Sequence, residues 1–477
     1  MINKTIISIA LLITLLLSGC SLYGTRVEGT MVEIPDAYLL TLDEGRATEL
    51  AGGWWEAFGD EHLDDLVKRT INKNLDISIA LERLEQLRSI SITSRSFMLP
   101  SVNAEGSAGR SRQPGLTGPI ETNSYSLSVS ASYELDLWGR VRKGAKAAEY
   151  DVFATGEDVK SVLVNIVAQA VDLYYLAVEQ NKQVELSEKT ITSFKDTLEM
   201  VERRYRAGLV PAIDVYQSRQ NLMSVKAQKP ALEAQLQITL NAISVLAGEF
   251  PGSRDIKYMG DLPYIPPFST GLTSELLKNR PDVRASFARL NASDKRIGEA
   301  LAKRFPSFNL IGSYGGASDE VSTILDSPNI IWNAMLQLAM PLFDAGRRRA
   351  EVARTESVFR ENLALYHKAV INSFRDVNDS IVRNKASEES IKHYQERVDA
   401  TDASLKLSLD RYTQGLSDYI PVLTAQGLHF EAQSGLLAAR RQLVSDRISM
   451  ARAIGGSWAD EELEKRFNKL NKEEDLP

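Results

Sequence analysis

The chain has 477 residues, 43% of them apolar and 25% charged, with a net charge of −7 and a single cysteine. That length suits several ordinary domains or one elongated one, and the composition excludes both a disordered chain and a uniformly membrane-embedded one. The acidic balance gives nucleic-acid binding no electrostatic support, and one cysteine excludes an intrachain disulfide framework.

Residues 1–20 read MINKTIISIALLITLLLSGC. Lys4 precedes an apolar run from Ile6 to Leu17. The run is too short for a spanning helix, which needs roughly 20 residues, and has the size of a secretory leader core. It ends in Leu17-Ser18-Gly19-Cys20, which resembles the lipobox of bacterial lipoproteins. By that resemblance 1–19 is a leader, Cys20 carries lipid including palmitate, and no other cofactor is implied. Ser21 rather than Asp at the next position implies outer-membrane delivery. A lipidated N-terminal segment then covers 20–60. No segment after the leader reads as long and apolar enough for a transmembrane helix.

From residue 61 to 97 apolar residues recur at three- and four-residue spacing (Leu63, Leu66, Val67, Ile71), predicting one helix that Pro100 ends. Two alternating stretches follow, 101–113 and 124–137, joined by the Gly/Pro loop QPGLTGPIETN. In the second, Tyr125, Leu127, Val129, Ala131, Tyr133 and Leu135 alternate with four serines and Glu134, the signature of a strand with one apolar and one polar face. A proline-free helix is predicted from Gly139 to about Ala207, a turn at Gly208–Pro211, and a return helix over 212–247.

The same series recurs: helix 272–304, strands 306–318 and 329–342, long helix 347–413, turn at Gly415, return helix 421–453. Gly139-Arg140 matches Gly346-Arg347, RYRAGLV (204–210) matches RYTQGLS (411–417), and Gly248 matches Gly455, all at one offset, 346 − 139 = 207. Composition does not produce a constant offset; the chain is an internal twofold repeat. The boundaries are 61–248 for the first copy, 249–270 for a linker, 271–456 for the second copy and 457–477 for a charged, loosely held tail. Long helices without breakers suggest coiled-coil packing.

Four half-apolar strands suit a membrane barrel, whose strands need about 9–11 residues. The apolar face of 125–135 maps onto Trp332, Ala334, Leu336, Leu338, Met340 and Leu342, so both copies keep it. A soluble sheet with one covered face has the same periodicity. Four strands do not close a barrel, which starts at about eight; transmembrane strands therefore require oligomerisation, and three copies give twelve strands.

These features, with GGWWEAFGDEHLDDLV (52–67), LLKNRPDVRASFARL (276–290), RIGEALAKRFPSF (296–308), both Gly-Arg junctions and both RY…GL turns, resemble the outer-membrane-factor family, the TolC-like channels, in their lipoprotein branch. The resemblance covers about Trp54 to Trp458. It implies a mainly α fold with a transmembrane β-barrel: a homotrimer with a twelve-stranded barrel in outer-membrane lipids and a long helical barrel in the periplasm. It implies a passive exit duct for drugs or other small molecules, serving an inner-membrane pump of the RND or another type through a periplasmic adaptor. The outer component of a type I protein exporter is the alternative within transport, and a lipid-tethered periplasmic coiled-coil scaffold the alternative outside it.

No catalytic or metal site is read. His62, His367, His393 and His429 have no ligand neighbours at useful spacing, no hydrolase or phosphate-loop motif occurs, and the carboxylates fit solvated helix faces. Met335 and Met340 fit apolar filling better than copper binding. At the turns, Gly208 and Gly415 read as helix C-caps, whereas Leu209 and Leu416 would be exposed apolar tips, where the resemblance implies adaptor contacts. It also implies a gate: Asp214 matches a family aspartate and Tyr412 its tyrosine partner, with Tyr205 the first-copy equivalent. Asp214 also fits the helix dipole alone. Where relatives carry further acids this chain has Pro421 and Thr424, leaving Asp418 as the nearest substitute. Arg140, Arg142, Lys143 and Arg347–Arg349 open the long helices against their dipoles; lipid head groups at that level would compensate, and a solvated cluster is the plain alternative.

Overall fold

The computed structural model describes residues 53–465 apart from 116–117, 254–259, 267, 269–277 and 456–457, together with 24–27, 35 and 38. Cys20 and the leader lie outside the described residues. In chain order the elements are α1 (Glu61–Lys73), α2 (Leu75–Ser96), β1 (Ser101–Gly115), β2 (Gly118–Glu134), α3 (Arg140–Arg206), α4 (Ala212–Leu246), α5 (Pro281–Ala302), β3 (Ser307–Ser318), β4 (Ile330–Ala339), α6 (Arg347–Thr413) and α7 (Ile420–Ile454). They divide into two compact units. One comprises Met1–Glu33, Glu82–Glu157 and Arg284–Ala369; the other comprises Ile34–Leu81, Asp158–Val283 and Val370–Pro477. Both long helices contribute to both units.

The single helix expected over 61–97 is two. Asp60 caps α1, accepting from the backbone of His62 and Leu63. At Asn74 the backbone is extended. Its side chain accepts from Ile77 N at 3.0 Å and donates to Leu246 O at 2.8 Å, so one residue starts α2 and satisfies the end of α4. Residues 458–465, expected as loose tail, are helical; Trp458 is buried edge-on against Trp55, their rings 5.0 Å apart, and Lys160 pairs with Asp460. The described helix α5 begins at Pro281, and 272–277 lies outside the described residues.

The four strands form one antiparallel sheet in the order β1-β2-β3-β4. The hairpin joining β1 to β2 is longer than expected, because the Gly/Pro stretch read as a loop is strand up to Gly115 and from Gly118, with Pro114 opposite Pro119. β4 stops at Ala339 rather than 342. Register places Tyr133 opposite Leu310, Leu310 opposite Leu336 and Tyr314 opposite Trp332 on one face. On the other face serines bond across strands, Ser101 to Ser132 and Ser107 to Ser126 at 2.8 Å each. The apolar face is bare: Leu336 is 60% and Trp332 74% exposed, as a face made for lipid is and the covered face of a soluble sheet is not.

In the second unit the stripe of α3 running through Val159, Leu163, Val167, Ala170, Val171 and Tyr174 is buried, as are Leu63 and Val67 of α1. By length and composition a stretch of α3 is apolar enough to cross a membrane, against the expectation that none after the leader is; the burial of that stripe in the protein accounts for it. Each long helix also solves its awkward start. Asp136 accepts from Arg142 N at 2.8 Å, and Asp344 from Arg348 N at 3.3 Å, so a carboxylate meets each cation-rich helix beginning.

Candidate functional site

The two turns fold alike. Gly208 (φ +72°) and Gly415 (φ +75°) take the left-handed conformation open to glycine. Gly208 N bonds Tyr205 O and Leu209 N bonds Arg204 O; Gly415 N bonds Tyr412 O and Leu416 N bonds Arg411 O. This paired pattern is the Schellman close of a helix. It turns the next residue outward, leaving Leu209 65% and Leu416 64% exposed.

Behind the tips Val201, Tyr412, Tyr419 and Val422 form a buried cluster against Val210, Val215 and Leu423. Tyr412 and Tyr419 meet with ring centroids 5.6 Å apart. Asp214, in the first turn of α4, is brought to Tyr412. Burial raises the Asp214 carboxyl above the ordinary aspartate range, the charge of Asp418 raises it further, and Tyr412 opposes both. The Tyr412 phenol is pushed up to about 12, by burial first and by Asp214 second. Burial likewise raises Tyr419. The hydroxyls of Tyr412, Tyr419 and Ser218 are buried without a hydrogen-bond partner of ordinary geometry among the described residues, so the contact between Tyr412 and Asp214 is a long one and burial dominates both groups.

Of the expected residues, Asp214, Tyr412 and Asp418 come together. Tyr205 does not join them: its ring is 47% exposed, and its carbonyl serves the turn. The residue sequence reasoning missed is Arg204. Its guanidinium lies over the Tyr412 ring at 5.0 Å and donates to Thr413 O at 2.7 Å, tying the end of α3 to the end of α6. Arg204 and Arg411 each precede a tyrosine at the repeat offset, so the pattern was visible. Which arginine stacks on which tyrosine depends on how the two helices pack. Thr424 bonds its own helix, to Ile420 O, and Pro421 lies in the first turn of α7; neither supplies an acid.

The family described as outer membrane efflux protein matches residues 66–249 and again 272–456. The toluene efflux pump outer membrane protein TtgF of Pseudomonas putida is 30% identical over 410 residues, 85% of each chain. The probable outer membrane lipoprotein SilC of Salmonella typhimurium is 25% identical over 453 residues, 93% of this chain and 97% of its own. Among solved structures, the outer-membrane channel OprN superposes with a TM-score of 0.83 at 25% identity, over 92% of this chain and all of that one.

Proposed function

The chain belongs to the outer membrane efflux protein family and is an outer-membrane efflux channel without enzymatic activity; from that premise we propose that it works as a homotrimer, anchored by lipid on Cys20, that receives its cargo from an inner-membrane pump through a periplasmic adaptor. The observation that carries the trimer is the open four-stranded sheet with a bare apolar face. Unpaired strand edges are costly in lipid, and three copies satisfy them. The exposed Leu209 and Leu416, presented by two turns of the same geometry, are the adaptor-contact tips, since exposed apolar residues at a loop tip fit a partner surface.

Asp214, Tyr412 and Asp418, with Arg204, form the gate behind those tips. The name of TtgF supports small organic molecules as cargo. The test has four parts. Unheated gel electrophoresis of the purified channel reads a trimer that survives detergent; a protomer there refutes the assembly. Conductance in planar bilayers rises for Tyr412→Ala, which removes the ring that packs on Tyr419 and lies under Arg204; unchanged conductance refutes the gate. Labelled palmitate is incorporated into the wild type and not into Cys20→Ala. A deletion strain becomes hypersensitive to organic drugs and dyes rather than to copper, silver or zinc salts.

A further inference from the structure

Where the strands give way to the long helices, the first unit holds a cavity of about 610 Å³. Its apolar wall includes Trp138, Phe305 and Met340, and its charged wall includes Arg347 and Arg348. Trp138 is fixed: its indole donates to Pro306 O at 2.7 Å and its ring lies 5.1 Å from that of Phe305. The carboxylates lining the cavity are already engaged, Glu134 with Arg140, Asp136 with Arg142 and Glu351 with Arg354. The two arginines are not matched in this way. Arg347 pairs with no carboxylate among the described residues. Arg348 reaches Asp344 only at 3.8 Å, and its Nη1 is buried without an acceptor. A buried guanidinium N–H without an acceptor calls for one, and two adjacent forks suit a phosphate.

The connector entering this site supplies the second half of the argument. Leu342 and Phe343 are 89% and 90% exposed, with Phe343 four residues before Arg347. β4, ten residues long, has the length of one bilayer crossing, about 9–11 residues, and ends where the cavity begins. Oily residues, an arginine with no carboxylate partner among the described residues and a second with a buried N–H lacking an acceptor, at one edge of a membrane span, describe the two halves of a phospholipid.

We propose that this cavity holds the phosphate head group of an outer-membrane phospholipid, one per protomer, with Arg347 and Arg348 on the phosphate and Leu342 and Phe343 along the acyl chains. The proposal rests on the reading of the strands as transmembrane. The site fixes the depth of the channel in the bilayer by a polar contact, where the bare sheet supplies only a non-directional one.

The experiment is native mass spectrometry of the full-length lipidated channel in detergent with added phosphatidylglycerol. One retained lipid per protomer is expected. Retention falls roughly tenfold or more in Arg347→Gln/Arg348→Gln, less in Arg347→Lys/Arg348→Lys, and not at all in Arg349→Gln, whose side chain does not line the cavity. An unheated gel reads whether each variant is folded. Equal retention in the folded double Gln variant overturns the proposal, as does absence of retained lipid from the wild type. Displacement by millimolar glycerol phosphate would assign the site to a free phosphate ester instead. Loss of the trimer with lipid retention unchanged would assign the arginines to a contact between copies. Fractionation of the wild type keeps the two readings apart: a channel found in the outer membrane that retains no lipid refutes only the head-group site.

Discussion

Arg204→Ala isolates the restraint between the two turns. The side chain makes two contacts with the end of α6: a charge-assisted hydrogen bond to Thr413 O at 2.7 Å and a position 5.0 Å over the Tyr412 ring. The bond is exposed to solvent and contributes about 1 kcal/mol. The ring is buried, and the stacked cation contributes about 1 kcal/mol more. If both break when the turns part, their loss shifts the ratio of parted to joined turns by a factor of about 30. The assay is single-channel recording of purified trimers in planar bilayers at moderate salt. Arg204→Ala should conduct more, or open more often, than the wild type. Arg204→Lys should fall between them, because an ammonium keeps the attraction to the ring and loses the planar fork. Wild-type conductance in Arg204→Ala would refute the assignment of Arg204 as a tie.

Asp214 makes the same tip sensitive to pH. Its carboxyl is raised by burial and by Asp418, so the joined arrangement is favoured while Asp214 is protonated and loses that contribution as pH rises through the raised value. Conductance should therefore fall as pH is lowered through that raised value, and Asp214→Asn should flatten the dependence; an unchanged profile in the variant counts against this origin. Arg447, 1% exposed, donates to Ile265 O at 3.0 Å and is held by Asn384 and Glu388. Arg447→Met strands those acceptors and should cost about 3 kcal/mol, the lower end for a broken buried pair because Glu388 reaches solvent; differential scanning calorimetry reads the drop in Tm. Gly248→Ala should fail more severely, since at φ +70° a Cβ would stand 2.3 Å from Lys73 O, adding a backbone clash to about 1–2 kcal/mol of left-handed strain. Yield of heat-resistant trimer is the measure.

The twofold repeat and the long helices were legible because period and offset are one-dimensional signals: α6 begins and ends where the absence of Pro and Gly placed it. Elements whose cause lies elsewhere in the fold were not. Asn74 reads as one polar residue in a helix, and only the carbonyl of Leu246 waiting for its side chain explains a break there. Pro114 and Pro119 read as loop, yet each stands where a missing N–H is tolerated: β1 is an edge strand, and β3 reaches β2 only from Tyr125 onward. The tail hid Trp458 and Leu463 among charges, although both are buried. At the turns, spacing found Asp214 and Tyr412, but Arg204 gains its role from the packing of one repeat copy against the other.

The free edges of β1 and β4 also govern inheritance. A ring that closes edge to edge needs both edges from every subunit, so a chain with one spoiled edge removes its healthy partners from use. With spoiled and intact copies made in equal amounts and mixed at random, about one eighth of threefold rings contain only intact chains. A proline placed in β4, as in Leu336→Pro, should therefore behave as a dominant allele, sensitising cells that still carry a normal copy, whereas a chain lost before assembly should be recessive.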